Sequence, residues 1–318
     1  MNRMRASTRH AAMVVGAVTI LVTGIQFGTA SAQQVSPTFE VLCTPTDTGL
    51  TELSGLADTS TGMYAIGDSG ADNRIAELDA GCHVTRWIPV GTETYDVEDL
   101  DSTTDGTLWL ADIGDNNKIR TSVALIGFDP SGAEAATPRV LTYPDGAHDA
   151  ETLLISHDGL PVIVTKDYLG SSDIYAPAGN QNVHDLSTTV PTQLNKVGHL
   201  QFSPTTTPGG PVDGAGTMAV TGGAVSTDGT VVALRTYTDV YLYSAPDGDV
   251  VKALSARAIR VPLPNEPQGE AIAFNNDGDL ISGSEAYQGP LPPLLILRGA
   301  TALAVAGGSA GPLGSTGS

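Results

Sequence analysis

Glu98, Glu151 and Glu270 fall at one equivalent position when three copies of a short repeated pattern are aligned on the Asp-Gly turn that follows each. Ser54 and Thr221 hold that position in two further copies. Three carboxylates facing one axis repel unless they are protonated or neutralised by a cation. With no cysteine or paired histidine nearby, oxygen ligands alone favour calcium over zinc. Glu98, Glu151 and Glu270 are therefore the candidate metal set. The chemistry implied is hydrolysis, a bound cation polarising a substrate oxygen or activating water while a carboxylate moves the proton. A structural alternative stands beside it, in which each glutamate caps backbone amides or pairs with Arg235 or Lys166.

A second series of charges closes the strand after each turn: Asp68, Asp112, Lys166-Asp167, Arg235 and Glu285. In a chain that is only 16% charged, five such endings after apolar strands are not accidental. Asp112, Lys166, Arg235 and Glu285 are candidate ligand-binding residues, the two cations suiting an anionic group. Inter-blade salt bridging is the competing role. His148 directly precedes Asp149-Ala150-Glu151 and is a candidate general acid or base beside Glu98 and Glu151; the alternative is a merely exposed loop histidine. His83, His157, His184 and His199 fall in turns or weak segments and carry no expected role. Gly67-Asp68-Ser69-Gly70 invites a serine-hydrolase reading, but only His10 precedes Ser69, which excludes the chymotrypsin order. The other esterase order would use Asp145 and His148, and it needs an α/β sheet that this chain does not promise. Two oxygen-rich turns, Asp115-Asn116-Asn117 and its partial echo Asp72-Asn73-Arg74, hold either a cation or, as Asx caps, only the backbone.

The elements that must position these residues are strands. Runs such as "VIVTK", "TVVALRTY", "VYLYSA" and "LLILRG" are short and rich in β-branched residues, and no helical spacing persists beyond two turns after the N-terminal segment. Five segments share one plan of cluster, strand, Gly-containing turn and second strand. They begin at Glu52, Asp96, Asp149, Val220 and Gln268. Four turns contain Asp-Gly, at Asp105, Asp158, Asp228 and Asp277, and are expected to be two-residue primed hairpins. The spacing of roughly 45 to 70 residues predicts an all-β fold, a β-propeller. The long stretch Asp173–Phe202 has room for one eroded blade, so six blades are expected, with five or seven left open. Trp87 and Trp109 are assigned to blade packing.

The segments "DVEDL…LADIGDNN", "HDAETLL…VTKD", "TGGAVSTDGTVVALRTY" and "PQGEAIAF…SE" resemble secreted bacterial six-bladed propellers. These sit near the phytase-like and "esterase-like activity of phytase" propellers, and more remotely near the gluconolactonase/regucalcin type. The likeness spans about Thr51 to Glu285. It implies a six-bladed fold and leaves the activity open.

Residues 1–32 read as a secretory signal peptide: Arg3, Arg5 and Arg9, an apolar run Ala11–Phe27, then Thr29-Ala30-Ser31-Ala32 with cleavage after Ala32. A retained anchor is the rival, although the apolar run is short for a span. A single propeller domain is expected over 33–298 and a flexible Gly/Ala/Ser-rich tail over 299–318. The chain has 15 Lys+Arg against 35 Asp+Glu, a net charge of -20, and signal removal makes it more acidic still. Such a surface disfavours nucleic acid and anionic lipid. The expected protein is an exported monomer with no membrane contact after cleavage, binding a small molecule or an extracellular protein on one face. Two functions compete. One is a calcium-assisted hydrolase of a phosphoester, ester or lactone, and the other a non-catalytic binding scaffold. Cys43 and Cys82, the only cysteines, are expected to pair in an oxidising compartment, closing a loop of about forty residues at a gain of about 3–4 kcal/mol.

Overall fold

The structure is a computed structural model that describes residues 37–68, 73–131 and 136–308. The signal-peptide segment, Ser69, Gly70, Asp72 and residues 309–318 lie outside the described residues. Strand β1 (Glu40–Cys43) comes first and is used last. Blade one is β2 (Leu53–Thr59), β3 (Gly62–Gly67), β4 (Arg74–Leu78) and β5 (Val84–Pro89). Blade two is β6 (Val97–Ser102), β7 (Leu108–Asp112), β8 (Val123–Phe128) and β9 (Thr137–Thr142). Blade three is β10 (Ala150–Ile155), β11 (Pro161–Thr165), β12 (Ser171–Pro177) and β13 (Thr192–Gln201). Blade four is β14 (Val220–Val225), β15 (Val231–Thr236), β16 (Asp239–Ser244) and β17 (Ile259–Pro262), with a short helix α1 (Val250–Leu254) before its last strand. Blade five is β18 (Gln268–Phe274), β19 (Leu280–Glu285) and β20 (Leu294–Leu297), completed by β1 pairing antiparallel to β20.

The first strands β2, β6, β10, β14 and β18 neighbour one another in order, and β18 returns to β2. That closed ring of four-stranded antiparallel blades is a β-propeller, as the repeat predicted. Its described blades number five rather than six. Asp173–Phe202 does not form an extra blade. It supplies most of β12 and all of β13, whose start pairs in parallel with the end of β9 (Thr192 with Leu141) and joins blades two and three along their outer edges.

Apolar faces pack blade against blade. Leu100, Leu108 and Ile75 fill the first interface; Trp109, Leu153 and Ile163 the second; Leu154, Val220 and Val232 the third. Ile272 with Val240, and Leu53 with Ile281, fill the remaining two. Trp109 is buried as expected, whereas Trp87 is half-buried beneath the Arg74 guanidinium, 4.1 Å away.

The Asp-Gly turns differ from the two-residue expectation. The Gly106 amide returns to the Thr103 carbonyl (2.9 Å), and Gly106 alone in that turn has positive φ (89°). This is a type I turn followed by a left-handed glycine, a longer hairpin than the primed kind. The same closure recurs from Gly159 to Ser156, Gly229 to Ser226 and Gly278 to Asn275. In three of the four the aspartate accepts from the hydroxyl that opens the turn, as in Ser226 Oγ to Asp228 (2.7 Å), so the whole Ser/Thr-x-Asp-Gly string is used; in the fourth Asn275 opens the turn and accepts from the Asp277 amide (3.0 Å).

The composition of 299–318 pointed to a flexible tail, but Ala300–Gly308 forms a helix, α2. Ala300 and Ala304, four apart on one helical face, are buried in the core shared by blades four and five. Small residues here mark close packing rather than disorder. Cys43 and Cys82 are bridged, tying the end of β1 to the turn between β4 and β5 of blade one. The bridge fits an oxidising, extracytoplasmic setting. Among the described residues no helix is long and apolar enough to cross a membrane.

Candidate functional site

Each innermost strand breaks register at the same place. The pairing shifts between Leu53 and Gly55, Val97 and Asp99, Ala150 and Thr152, Val220 and Gly222, and Gly269 and Ile272. The displaced stretch contains Ser54, Glu98, Glu151, Thr221 and Glu270, the five equivalent positions. A β-bulge re-aims a side chain and strengthens local twist, so one irregularity repeated five times turns this ring inward. Ser54 and Thr221 use it for structure: Ser54 Oγ donates to the Glu98 carbonyl and Thr221 Oγ1 to the Gly269 carbonyl, each 2.8 Å and each reaching the next blade.

The three glutamates do something else. Glu98 is 2% exposed, and the charges that act on it come from four blades: Glu270, Asp96, Lys166 and Asp68. Only a position near the axis allows that. Gly114 permits it locally, because a side chain there would strike Glu98 Oε1 and Asp96 Oδ2. Glu151 is ion-paired with Lys166, whose ammonium also lies 4.0 Å from Asp149. Glu270 accepts from Gln268 Nε2 (3.3 Å) and lies beside Glu285. Burial, then Glu270 and Asp96, holds the Glu98 carboxyl well above its ordinary range. Burial also lifts Glu270, and burial with Glu270 pushes Glu285 up to about 10. Carboxyls of this kind are protonated at neutral pH unless a ligand supplies donors.

Three carboxylate oxygens here are buried and have no hydrogen-bond partner: Glu151 Oε2, Glu270 Oε2 and Glu285 Oε1. Tyr168 and Tyr237 stack beside them, rings 6.4 Å apart, with Lys166 Nζ 5.8 and 5.9 Å from the two ring centres. Glu270 and Glu285 raise the Tyr237 hydroxyl further after burial has done so.

The remaining candidates are placed differently. Arg235 is fully buried and its donors are committed to Glu266 (2.6 Å), Ser282 (2.8 Å) and the carbonyls of Ala271 and Gly283 (3.1 Å each). Asp112 accepts from the Tyr95 and Asp96 amides (3.2 and 3.1 Å) and pairs with Arg120 (2.9 Å). Both serve the frame. His148 Nε2 lies 2.9 Å from Asp145 Oδ1 and 2.9 Å from the Tyr175 hydroxyl, with the Tyr143 ring against it. Those partners belong to the flank of blade three, not to the carboxylate ring. Asp115 spends both oxygens on backbone, accepting from Ile119 (2.9 Å) and Arg120 (2.7 Å), so that turn is an Asx-type cap.

Among the described residues no three His, Cys, Asp or Glu side chains are arranged to hold a metal ion. The Lys166 ammonium contacts Glu151, one of the three candidate ligands.

Sequence comparison within the repeat misses Glu266 and Tyr168, which lie outside it, and Tyr237, which lies near the end of the fourth copy with no counterpart in the others. It also misses Asp99 and Asp101. Asp99 accepts from its neighbour Leu100 and across to Leu153 (2.8 Å each), and Asp101 from Ser102 and across to Ile155 (2.7 Å each). The alternation Asp99, Asp101 along β6 was the available signal. A cavity of about 330 Å³ is bounded by all five innermost strands, but at their far ends, near the Asp-Gly turns, and it does not touch the glutamates. The carboxylate ring is the more informative site, because its unpartnered oxygens ask for a ligand and open volume alone does not.

No family model matches the chain, and no curated protein matches it. Among solved structures, a luciferin-regenerating enzyme is similar at 13% identity and TM-score 0.48, covering 82% of this chain and 95% of that one. A PQQ-bound aldose sugar dehydrogenase from Streptomyces coelicolor is similar at 10% identity and TM-score 0.45, covering 82% and 98%. A gluconolactonase from Xanthomonas campestris is similar at 13% identity and TM-score 0.40, covering 77% and 71%. No residue role or activity is carried over from them.

Proposed function

We propose that this is an exported propeller that binds a small, donor-rich molecule at the acidic end of its axis. One observation carries the reading: Glu151 Oε2, Glu270 Oε2 and Glu285 Oε1 are buried without partners. A buried acceptor left unsatisfied costs about 1–3 kcal/mol, and hydroxyl or ammonium donors on a ligand would recover that cost. The Tyr168–Tyr237 stack offers a flat wall for the ligand's apolar face.

A second reading, hydrolysis of an ester or lactone, is favoured by the unlike environments of the carboxyls. Glu98 and Glu285 keep protons that a leaving oxygen could take, while Glu151 is paired with an ammonium; such asymmetry suits an acid and a base. A phosphoester fits less well, since Arg235 is committed to Glu266 and Lys166 is paired with Glu151. The test is calorimetric titration with amines, polyols and lactones, on wild type and Glu270→Gln. Binding that weakens about tenfold in the variant, a loss of about 1.4 kcal/mol, supports the site. Binding unchanged by Glu270→Gln would place the ligand elsewhere. Turnover of a lactone or ester, lost in Glu98→Gln, would move the assignment to hydrolase. Calcium is expected to leave the melting temperature unchanged.

A further inference from the structure

The far end of the axis carries a second, separate feature. Its cavity of about 330 Å³ lies at the lower end of the roughly 300–1,000 Å³ typical of small-molecule pockets. Leu56, Leu100 and Phe274 contribute apolar wall, and blade turns supply polar groups at the rim. Among the described residues no lysine or arginine lines it. The titratable groups on its wall are Asp58, Asp101 and His157. Asp101 is committed to the Ser102 and Ile155 amides, and His157 Nδ1 lies 3.3 Å from the Thr227 carbonyl.

Asp58 differs. It is half-buried, and among the described residues its carboxylate has no hydrogen-bond or ion-pair partner; its charged neighbour is Asp277, which repels it. A carboxylate that is partly desolvated, faces a like charge and opens onto an apolar chamber is complementary to a cation with an apolar body. A hydrated inorganic ion would waste the apolar wall, and a neutral apolar molecule would leave Asp58 as it is.

We propose that this cavity binds a small organic ammonium ion, its charge against Asp58 and its apolar body on Leu56, Leu100 and Phe274. Asp58 supplies the selectivity and the wall supplies the contact area. The site is independent of the carboxylate ring at the other end.

The test is titration of the mature protein with phenethylammonium and with its neutral counterpart 2-phenylethanol, followed by calorimetry. The ammonium is expected to bind at least about tenfold more tightly than the alcohol, about 1.4 kcal/mol. Asp58→Asn should remove that preference and leave alcohol binding unchanged. Thr227→Trp, placed on an exposed rim residue, should abolish both. Equal affinity for the two probes, an Asp58→Asn variant that keeps the preference, or no binding by wild type would each overturn the proposal. Glu270→Gln should leave this binding untouched, so failure here and failure of the acidic-end reading are separable.

Discussion

Glu285 shows what a single side chain implies for the behaviour of the molecule. Its folded carboxyl lies near 10 against an ordinary 4.5, and Asp101 lies near 7 against 3.8, so folding takes up protons. Stability from such groups is fully present below their unfolded values and is lost as pH rises through the folded ones. The melting temperature should therefore fall between pH 6 and pH 9, by about 5 °C for a loss of about 1–2 kcal/mol in a domain of this size. Glu285→Gln should flatten that slope and raise the melting temperature at pH 8, while weakening ligand binding at the acidic end. A steep slope retained in Glu285→Gln would mean that other carboxyls carry it. At the same scale the sequence told half the story. Glu98, Glu151 and Glu270 were visible because they repeat. Glu266 was not, because it sits outside the repeated string and acquires meaning only when Arg235 of blade four reaches across to it.

Elements were legible in proportion to their regularity. The first and second strands of every blade share a turn with fixed chemistry, so both could be read from residues alone. The third and fourth strands answer to packing against neighbours, and their spacing varies; β13 lies far from β12 along the chain and pairs with β9 of another blade. That irregularity is what made one long blade resemble two. Helix α2 was hidden by the opposite effect. Alanine and glycine look like linker until the face of blade four, chiefly β16, gives Ala300 and Ala304 something to cover. A chain ending at Gly299 should be less stable by about 2 kcal/mol, the burial of two alanines together with the apolar surface they protect, read as a lower urea midpoint. An unchanged midpoint would show that α2 merely rests on the blades.

At the scale of the whole ring, the bridge between Cys43 and Cys82 fastens the closing strand to blade one. Replacing Cys82 with serine should lower stability by about 3–4 kcal/mol on the chain-entropy account, measured as a shift in denaturant midpoint; a shift below 1 kcal/mol would mean that the β1–β20 pairing suffices alone. There is also a consequence for assembly order. Glu40 pairs with Ile296, near opposite ends of the chain, yet the cysteines are only 39 residues apart. The bridge can therefore form once blade one has reached an oxidising compartment, before β20 is in place. The last blade then arrives to find its fourth strand already tethered beside the gap, and the long loop closure is exchanged for a short one. In a reducing compartment the same chain would have to wait with an unpaired edge on β20, the kind of edge that invites another molecule. The two cysteines thus set the order of assembly as much as they staple the finished ring.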